Sequence, residues 1–382
     1  MSLNVKYFGS SIPIDKISLE IKRRDLIIQN ATKKREAYIL NSLLEIPEIK
    51  KLDFISTAYG KRRGFYKTEK INRKKVQYNF LGYFGNKFFR ILSSYFFSFL
   101  WVFRNVRKRD TIIIYNFPPI YAIPLLLIKI FLQIRLIIEF EDFYNAEDKR
   151  SLIYKPFENL GIKYADSFIA SSVGMRDFIL KKRKTAKIII NGGYFDDIEI
   201  KEQDPDDFKT PFKLVYTGTL VENRGIMNLI NSFQELKSDD FELIITGSGR
   251  LEKLVSESIK KDARIRFLGL VDDEKLNQIL EEADICINPQ IRSISVNFPS
   301  KISLYLSYGK VVLSTKNSSL LNSPYKNLLY YYDEFNPNSF SDEVFKIKNN
   351  WAAIERTKIE QLAKFKEIFK KQERTLIKLL IE

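Results

Sequence analysis

Apolar and polar positions alternate along the second half of the chain in short blocks that predict strands followed by helices. The segments 212–217, 241–246, 265–268, 283–288 and 310–314 are rich in apolar and β-branched residues, and residues with helical spacing separate most of them. Strands that alternate with helices of this length predict a parallel sheet with right-handed crossovers. Ligands bind such sheets at the carboxyl ends of the strands, where glycines cluster in this sequence.

The first half shows the same alternation less regularly. An apolar run at 112–140 is interrupted by prolines and charged residues, which predicts a strand, a helix and a second strand in a buried core rather than a membrane span. No N-terminal signal peptide is visible. We predict two α/β domains: an N-terminal domain over 1–195, a polar linker over 196–211, a C-terminal domain over 212–348, and amphipathic helices over 349–382.

The composition narrows the possible chemistry. Among 382 residues there is no histidine and one cysteine, Cys286. This excludes a disulfide framework, cysteine-built zinc sites, histidine-ligated metals and catalysis by Ser-His-Asp or Cys-His groups. We expect no metal and no cofactor, since no aspartate pair stands in a metal-site context.

Positive charge is concentrated in the first half. Residues 1–195 contain 36 Lys and Arg against 17 Asp and Glu, whereas residues 196–382 contain 27 against 30. This asymmetry indicates an anionic partner for the first half: membrane lipid, polyphosphate or nucleic acid. A Lys- and Asn-rich composition shared across an organism's proteins would explain the total, but it explains the asymmetry less well.

Aromatic residues, among them Trp101, crowd the segment 87–109. One interpretation is a helix that docks on an anionic bilayer. The other is an aromatic core helix whose last turn is cationic, as the helix dipole favours. The basic cluster that ends the segment consists of Arg104, Arg107, Lys108 and Arg109.

Two glycine turns follow predicted strands of the second half. Gly218 and Thr219 come directly after the first strand, and Arg224 precedes the next helix, so backbone N–H groups and a guanidinium could meet one anion such as a diphosphate. Gly247 and Gly249 close the neighbouring strand. The alternative for each is an ordinary tight turn.

A third motif lies at 297–310, where Pro299 precedes a short helix. Ser300 is placed to cap this helix, and Lys301 falls in its first turn. The helix dipole disfavours a cation there, and a bound anion would remove the conflict.

Together these motifs resemble the nucleotide-sugar-binding domain of family-4 retaining glycosyltransferases, in the Pro-Ser-Lys…Gly-Lys branch of bacterial capsule and surface polysaccharide biosynthesis. The resemblance implies the GT-B fold: two Rossmann-like parallel-sheet domains facing a cleft, with C-terminal helices that close back on the first domain. In the first half, the segments 164–172 and 188–193 are similar to family motifs, and residues 1–110 correspond by position alone. The matching segments of the second half are 216–225, 243–249, 266–271, 276–289 and 299–312.

The resemblance also implies roles for single residues. Arg224 would pair with the donor diphosphate, and Lys301 with Ser300 would lie beside the phosphate or the transferred sugar. Glu141 and Asp142 lie where relatives carry cleft carboxylates and would orient the acceptor or the sugar; ordinary pairing with nearby Lys or Arg is the alternative. Backbone contacts to the donor would come from Gly218, Thr219, Gly247, Gly249, Phe267 and Leu268.

Two departures from the family pattern concern the donor site. Relatives usually have arginine where Thr219 stands. The two glutamates of the family's E-x7-E motif fall on Val296 and Leu304, and an apolar side chain cannot bond ribose hydroxyls. Asn297 or Ser303 would have to take over that contact.

We therefore expect a metal-independent retaining glycosyltransferase of hexosyl type that transfers a sugar from a nucleotide-diphosphate donor to a glycan or polyprenyl-diphosphate-linked acceptor. The protein would be cytoplasmic or peripheral on the inner face of the cytoplasmic membrane. The alternative is a nucleotide-sugar-binding pseudo-glycosyltransferase that acts as a scaffold or regulator. Nucleic-acid binding rests on charge alone, and we expect none.

Overall fold

The computed structural model describes residues 3–13, 30–60, 63–142, 151–195, 198, 210–291 and 298–381. The chain divides into two compact units. Unit 1 comprises Met1–Gly192 with Gln372–Glu382, and unit 2 comprises Gly193–Lys371. The boundary between the units lies three residues before the predicted end of the first domain. The predicted C-terminal helical segment, 349–382, is divided between the units: residues 349–371 group with unit 2, and the rest groups with unit 1. Most of the predicted linker lies outside the described residues.

The sheet of unit 1 has eight strands, of which β7 is typical. Its sequence, Thr-Ile-Ile-Ile-Tyr, is buried along its whole length, because parallel strands with covered faces need apolar residues on both sides. The strands are β1 (Leu3–Phe8), β2 (Ile49–Ser56), β4 (Glu69–Arg73), β5 (Val76–Phe80), β7 (Thr111–Tyr115), β8 (Arg135–Phe140), β9 (Ser167–Ala170) and β10 (Lys187–Ile190). Their order is β10-β9-β8-β7-β1-β2-β5-β4, and all neighbours are parallel except β4 and β5.

A two-stranded antiparallel ribbon, β3 (Phe65–Tyr66) with β6 (Tyr83–Phe84), stands apart from this sheet. The core of unit 1 packs β7, β8 and β9 against helices α2 and α3. The helices are α1 (Asn30–Leu44), α2 (Lys87–Asn105), α3 (Pro119–Leu132), α4 (Ser151–Tyr164) and α5 (Val173–Lys182). The predicted strand, helix and strand across 112–140 are therefore confirmed as β7, α3 and β8.

Unit 2 contains a six-stranded, entirely parallel sheet. Its strands are β11 (Phe212–Thr217), β12 (Phe241–Thr246), β13 (Ile265–Phe267), β14 (Ile285–Asn288), β15 (Val311–Thr315) and β16 (Tyr330–Tyr332), in the order β13-β12-β11-β14-β15-β16. Its helices are α6 (Ile226–Gln234), α7 (Glu252–Ser258), α8 (Asp273–Glu282), α9 (Lys301–Ser307), α10 (Ser318–Leu321) and α11 (Pro337–Asn349). A single helix, α12 (Trp351–Ile381), closes the chain. In β11 and β12, Thr217 is paired with Thr246, so the loops after both strands leave the sheet at the same level.

Local signals in unit 2 were mostly predictive. Asp272 caps α8, since its carboxylate accepts the backbone N–H of Lys275 at 2.8 Å. The prediction that Ser300 caps α9 is wrong: Ser300 already has helical dihedral angles, and its side chain makes no capping bond. None of the described helices is long and apolar enough to cross a membrane.

Candidate active site

Two glycine turns of unit 2 pack backbone against backbone at the carboxyl ends of β11 and β12. The Gly218 N–H donates to the Thr246 carbonyl at 3.0 Å. A Cβ atom on Gly247 would lie 1.8 Å from the Gly218 carbonyl oxygen, and one on Gly249 would lie 2.3 Å from that of Leu220. Only glycine allows these approaches. The turns therefore form one continuous backbone surface.

Lys301 stands over this surface. Its Nζ lies 3.7 Å from the centroid of the Tyr216 ring, at the end of β11. A Cβ atom on Gly218 would lie 3.0 Å from the same Nζ. The first turn of α9 therefore places its cation directly beside the first glycine turn.

Arg224 is the second cation of this group. It ends a short 3-10 turn, Glu222–Arg224, and Gly225 follows with a left-handed φ of 70°. A Cβ atom on Gly225 would lie 1.7 Å from the Pro289 carbonyl oxygen, so the close approach of two loops fixes where Arg224 stands.

The electrostatics of the pair are unfavourable without a ligand. Burial lowers the pKa of Lys301 well below its usual value, and the positive charge of Arg224 lowers it further. In the part of the chain that the structure describes, neither cation forms an ion pair with a carboxylate, and Glu222 pairs with Arg250 instead. An anion held between Lys301 and Arg224 would compensate both charges. A diphosphate has the size and charge to do so.

The other predicted donor residues of this edge have mixed surroundings. Thr219 is exposed, and its carbonyl accepts the Tyr216 hydroxyl at 2.9 Å. Phe267 and Leu268 are half-buried, and the Leu268 N–H donates to the Ile245 carbonyl at 2.9 Å. The strand-end backbone therefore already makes bonds within the sheet.

At the two positions where relatives have glutamates, the structure describes one residue. Leu304 is buried in α9. Ser303, considered as a substitute, accepts the Tyr194 N–H at 3.2 Å. Asn297 and Val296 lie outside the described residues.

Unit 1 contains a second polar group, at the carboxyl end of its sheet. The Arg35 Nε lies 2.7 Å from Glu139 Oε1 and 2.8 Å from Glu141 Oε1. Its other nitrogens donate to the Asn191 side chain at 2.8 Å and to the Asn191 carbonyl at 2.6 Å. Glu139 also accepts the Tyr7 hydroxyl at 2.6 Å. For Glu141, the alternative of pairing with a nearby basic residue thus describes what the structure shows.

Burial raises the pKa values of two carboxylates in this region, Glu141 and Glu36. It raises the pKa of Glu141 to about 8, with Glu139 and Asp142 adding to the rise and Arg35 opposing it. It raises the pKa of Glu36 to about 7, although the Ser10 N–H at 2.6 Å stabilises the charged form. A carboxyl group that is protonated near neutral pH can donate as well as accept a hydrogen bond.

The sequence did not single out Arg35, Glu36 or Glu139. A signal for Glu139 was present, because a charged residue interrupts the apolar strand Leu-Ile-Ile-Glu-Phe. Arg35 and Glu36 belong to the run Lys-Lys-Arg-Glu, which looks like the solvated face of a helix. Only the packing of α1 against the sheet buries them.

Of the residues that were predicted to contact the membrane, some are exposed and one is buried. The side chains of the basic cluster, Arg104, Arg107, Lys108 and Arg109, are exposed. The prediction that Trp101 meets the membrane is wrong, because Trp101 is buried and its ring meets that of Phe8 edge-on at 5.6 Å. No group of three acidic or cysteine side chains that could hold a metal ion occurs among the described residues.

The residues around Lys301 and Arg224 belong to a segment with known relatives. Residues 211–349 match the family model of glycosyl transferases group 1. An uncharacterized glycosyltransferase of Methanocaldococcus jannaschii is 29% identical over 187 residues, which are 45% of this chain and 47% of that protein. The match thus spans about half of the relative's length. Residues 211–349 of unit 2 are therefore similar to group 1 glycosyl transferases.

The fold of the whole chain is GT-B, as the sequence predicted. Sucrose-phosphate synthase from Thermosynechococcus elongatus aligns over 99% of this chain and 98% of its own, with a TM-score of 0.70 and 12% identity. Anabaena HepE, solved in complex with UDP, aligns over 98% and 99% with a TM-score of 0.64 and 13% identity. The lipopolysaccharide outer core galactosyltransferase WaaB aligns over 97% and 100% with a TM-score of 0.58 and 15% identity.

Proposed function

We propose that the protein is a retaining glycosyltransferase whose donor is a nucleotide-diphosphate sugar bound by unit 2. The observation that carries this proposal is the position of the Lys301 ammonium beside the Gly218 turn, within the field of the Arg224 charge. Among the described residues neither cation has a carboxylate partner, so together they offer the positive charge that a diphosphate requires. The family match of unit 2 and the UDP bound by Anabaena HepE support this choice of ligand.

In the proposed reaction, Lys301 and Arg224 stabilise charge that develops on the leaving diphosphate. The bond between the anomeric carbon and the diphosphate oxygen breaks, and an acceptor hydroxyl forms its bond on the same face. The departing phosphate oxygen takes the acceptor's proton. No histidine and no metal is required, which suits the composition.

For the acceptor, we propose a glycan linked to polyprenyl diphosphate, in assembly of a bacterial surface polysaccharide. Glu141 and Asp142 are the candidates to orient its hydroxyl. Both follow β8, and the Asn116 Oδ1 accepts their backbone N–H groups at 2.8 and 3.1 Å. This arrangement fixes the loop from which both carboxylates project. The comparisons lend no support to the pseudo-glycosyltransferase alternative, which rests on Leu304, Val296 and Thr219.

The experiment is thermal stabilisation by UDP, GDP and CMP and by their sugar conjugates. A ligand at about 100 times its dissociation constant adds about 2.7 kcal/mol to the stability. We expect one nucleoside diphosphate class to raise the melting temperature of the wild type and to do so less for Arg224→Ala. Lys253→Ala, which removes an exposed cation of α7, is the matched control and should respond like the wild type. Sugar transfer is then assayed with the preferred donor; donor binding without transfer or hydrolysis would favour the scaffold alternative.

A response that is equal in Arg224→Ala and the wild type would place the donor elsewhere. The absence of any response would contradict the proposed donor class.

A further inference from the structure

Helix α2 is apolar on its outer face as well as its inner face. Its inner face is buried through Trp101 and Val102. On the outer face, Phe88 is 69% exposed, Phe96 is 62% exposed and Phe103 is 57% exposed. These positions recur every seven or eight residues and form one stripe about 22 Å long. A helix that is apolar on all sides normally has a second partner.

The ribbon of β3 and β6 extends this stripe. Phe65 and Phe84 are about half exposed, and their ring centroids lie 4.8 Å apart across the ribbon. The Phe65 ring lies 5.9 Å from that of Phe97 in α2, and the Phe84 N–H donates to Ser93 Oγ of α2 at 2.9 Å. Helix and ribbon thus present one apolar surface. We call Phe65, Phe84, Phe88, Phe89, Phe96 and Phe103 the aromatic platform.

The basic cluster at the end of α2 lies beside a second group of exposed apolar side chains. The backbone of Arg109 donates to the Leu132 carbonyl at 3.1 Å, which joins the basic cluster to the end of α3. Ile130 and Phe131, on the last turn of α3, are 77% and 78% exposed. The basic cluster therefore borders exposed apolar residues at both helix ends.

The charge of the surrounding segment is strongly one-sided. Residues 63–135 contain 14 Lys and Arg against two acidic residues, which gives +12 of the chain's +16. One of the two, Asp110, is buried against the Lys6 ammonium at 2.8 Å. Two copies that met through this surface would repel each other, whereas an anionic partner would be attracted.

We propose that the aromatic platform and the basic cluster dock unit 1 on the surface of an anionic lipid bilayer. The phenylalanines enter the boundary between headgroups and acyl chains, and the arginines and lysine contact lipid phosphates. Exposed aliphatic residues, including Ile91, Leu92 and Ile130, favour a bilayer over single-stranded nucleic acid, because they cannot stack on bases. The inference rests on the proposed function only in placing a lipid-linked acceptor within reach.

The test is cosedimentation of the full chain with vesicles of phosphatidylcholine, alone or with about 30% phosphatidylglycerol. We expect binding to the anionic vesicles that weakens as salt is added. The triple change Arg104→Gln, Arg107→Gln and Lys108→Gln should weaken it about 100-fold at low salt, since each basic residue near the surface contributes about fivefold. The matched control, Lys253→Gln, Lys260→Gln and Lys261→Gln, neutralises three exposed lysines of unit 2 and should bind like the wild type.

A second set of variants, which removes apolar side chains, distinguishes docking on the bilayer from simple charge attraction. Phe88→Gln, Phe96→Gln and Phe103→Gln together should lower the binding at least tenfold at any salt concentration, because less apolar area leaves water. The control changes three exposed apolar residues of unit 2 to glutamine together, namely Leu270, Phe335 and Ile359. This control variant should bind the anionic vesicles almost as the wild type does.

Three results would overturn the inference: equal binding of variants and controls, binding to single-stranded DNA but not to vesicles, or a stable dimer lost in the aromatic variant. The melting temperature and circular dichroism of each variant without ligand report whether it folds. Nucleotide-induced stabilisation separates the two proposals, because failure of docking with intact nucleotide binding leaves the donor site standing.

Discussion

Replacing Lys301 by methionine isolates the charge that the donor site uses. Methionine keeps most of the unbranched side chain that lies over the Tyr216 ring and removes only the ammonium. In the wild type, burial and Arg224 hold the pKa of Lys301 well below its usual value. The folded protein thus disfavours the charged form before any ligand binds.

The effect on stability has a definite sign. Between the pKa of Lys301 in the folded protein and its value of 10.5 in the unfolded chain, the unfolded chain binds more protons. The contribution of Lys301 to stability therefore rises with pH through that window, and its charged form costs stability below it. We expect Lys301→Met to melt at the same temperature as the wild type or higher at neutral pH.

The effect on donor binding is the opposite. Loss of one charge-assisted hydrogen bond costs about 1.5–3 kcal/mol, which raises the dissociation constant for UDP about 10- to 150-fold. A bound diphosphate restores the pKa of Lys301 toward its usual value, so binding takes up protons between the lowered pKa of the free protein and 10.5. Affinity should therefore fall as the pH rises toward 10.5.

Isothermal titration calorimetry in two buffers of different ionisation enthalpy measures that proton uptake directly. The wild type should take up protons on binding UDP, and Lys301→Met should not. Arg224→Ala should bind more weakly and take up fewer protons, because removal of its charge raises the pKa of Lys301 in the free protein. An unchanged dissociation constant in Lys301→Met would refute the assignment of the site, and weaker binding without any proton uptake in the wild type would refute the electrostatic reasoning.

Three further predictions concern the fold. Burial raises the pKa of Glu36 to about 7, so the contribution of Glu36 to stability falls as the pH rises from about 4.5 to 7. Glu36→Gln should therefore make the melting temperature depend less on pH over that range. Gly225 and Gly269 both have left-handed φ angles, but of the two only Gly269 has open space for a Cβ atom. In urea unfolding, Gly269→Ala should therefore lose about 1–2 kcal/mol of stability, and Gly225→Ala should lose clearly more. Arg35→Met should cost about 3–5 kcal/mol, because it leaves buried carboxylates uncompensated, whereas Arg266→Met breaks an exposed pair and should cost at most about 1 kcal/mol in the same urea assay.

The sequence predicted unit 2 closely because its signals are local. β11, β12 and the cap of α8 follow from apolar runs, glycine turns and one aspartate. Residues before 110 were harder to predict. β4 and β5 form an antiparallel hairpin at the edge of an otherwise parallel sheet, and the first half of α1 contains four consecutive charged residues, 33–36. Such elements depend on what packs against them.

For the donor site, the sequence determined which side chains are available. The absence of histidine and the order of the motifs around Gly218, Arg224 and Lys301 pointed to diphosphate chemistry at the carboxyl ends of parallel strands. The fold places Lys301 over Tyr216 and within the field of Arg224, which no local pattern could predict, since these residues are 77 and more positions apart along the chain. Their mutual repulsion is a property of distance, which no local pattern encodes.

In unit 1 as well, the sequence shows which residues are present and the packing shows which of them are exposed. The sequence determined that aromatic and basic residues crowd one segment, but it could not distinguish a core helix from a docking helix. Both are apolar, and the difference is which side chains the neighbouring elements cover. Packing buried Trp101 and left Phe88 and Phe96 exposed, and it brought Arg35 to Glu139, 104 residues away.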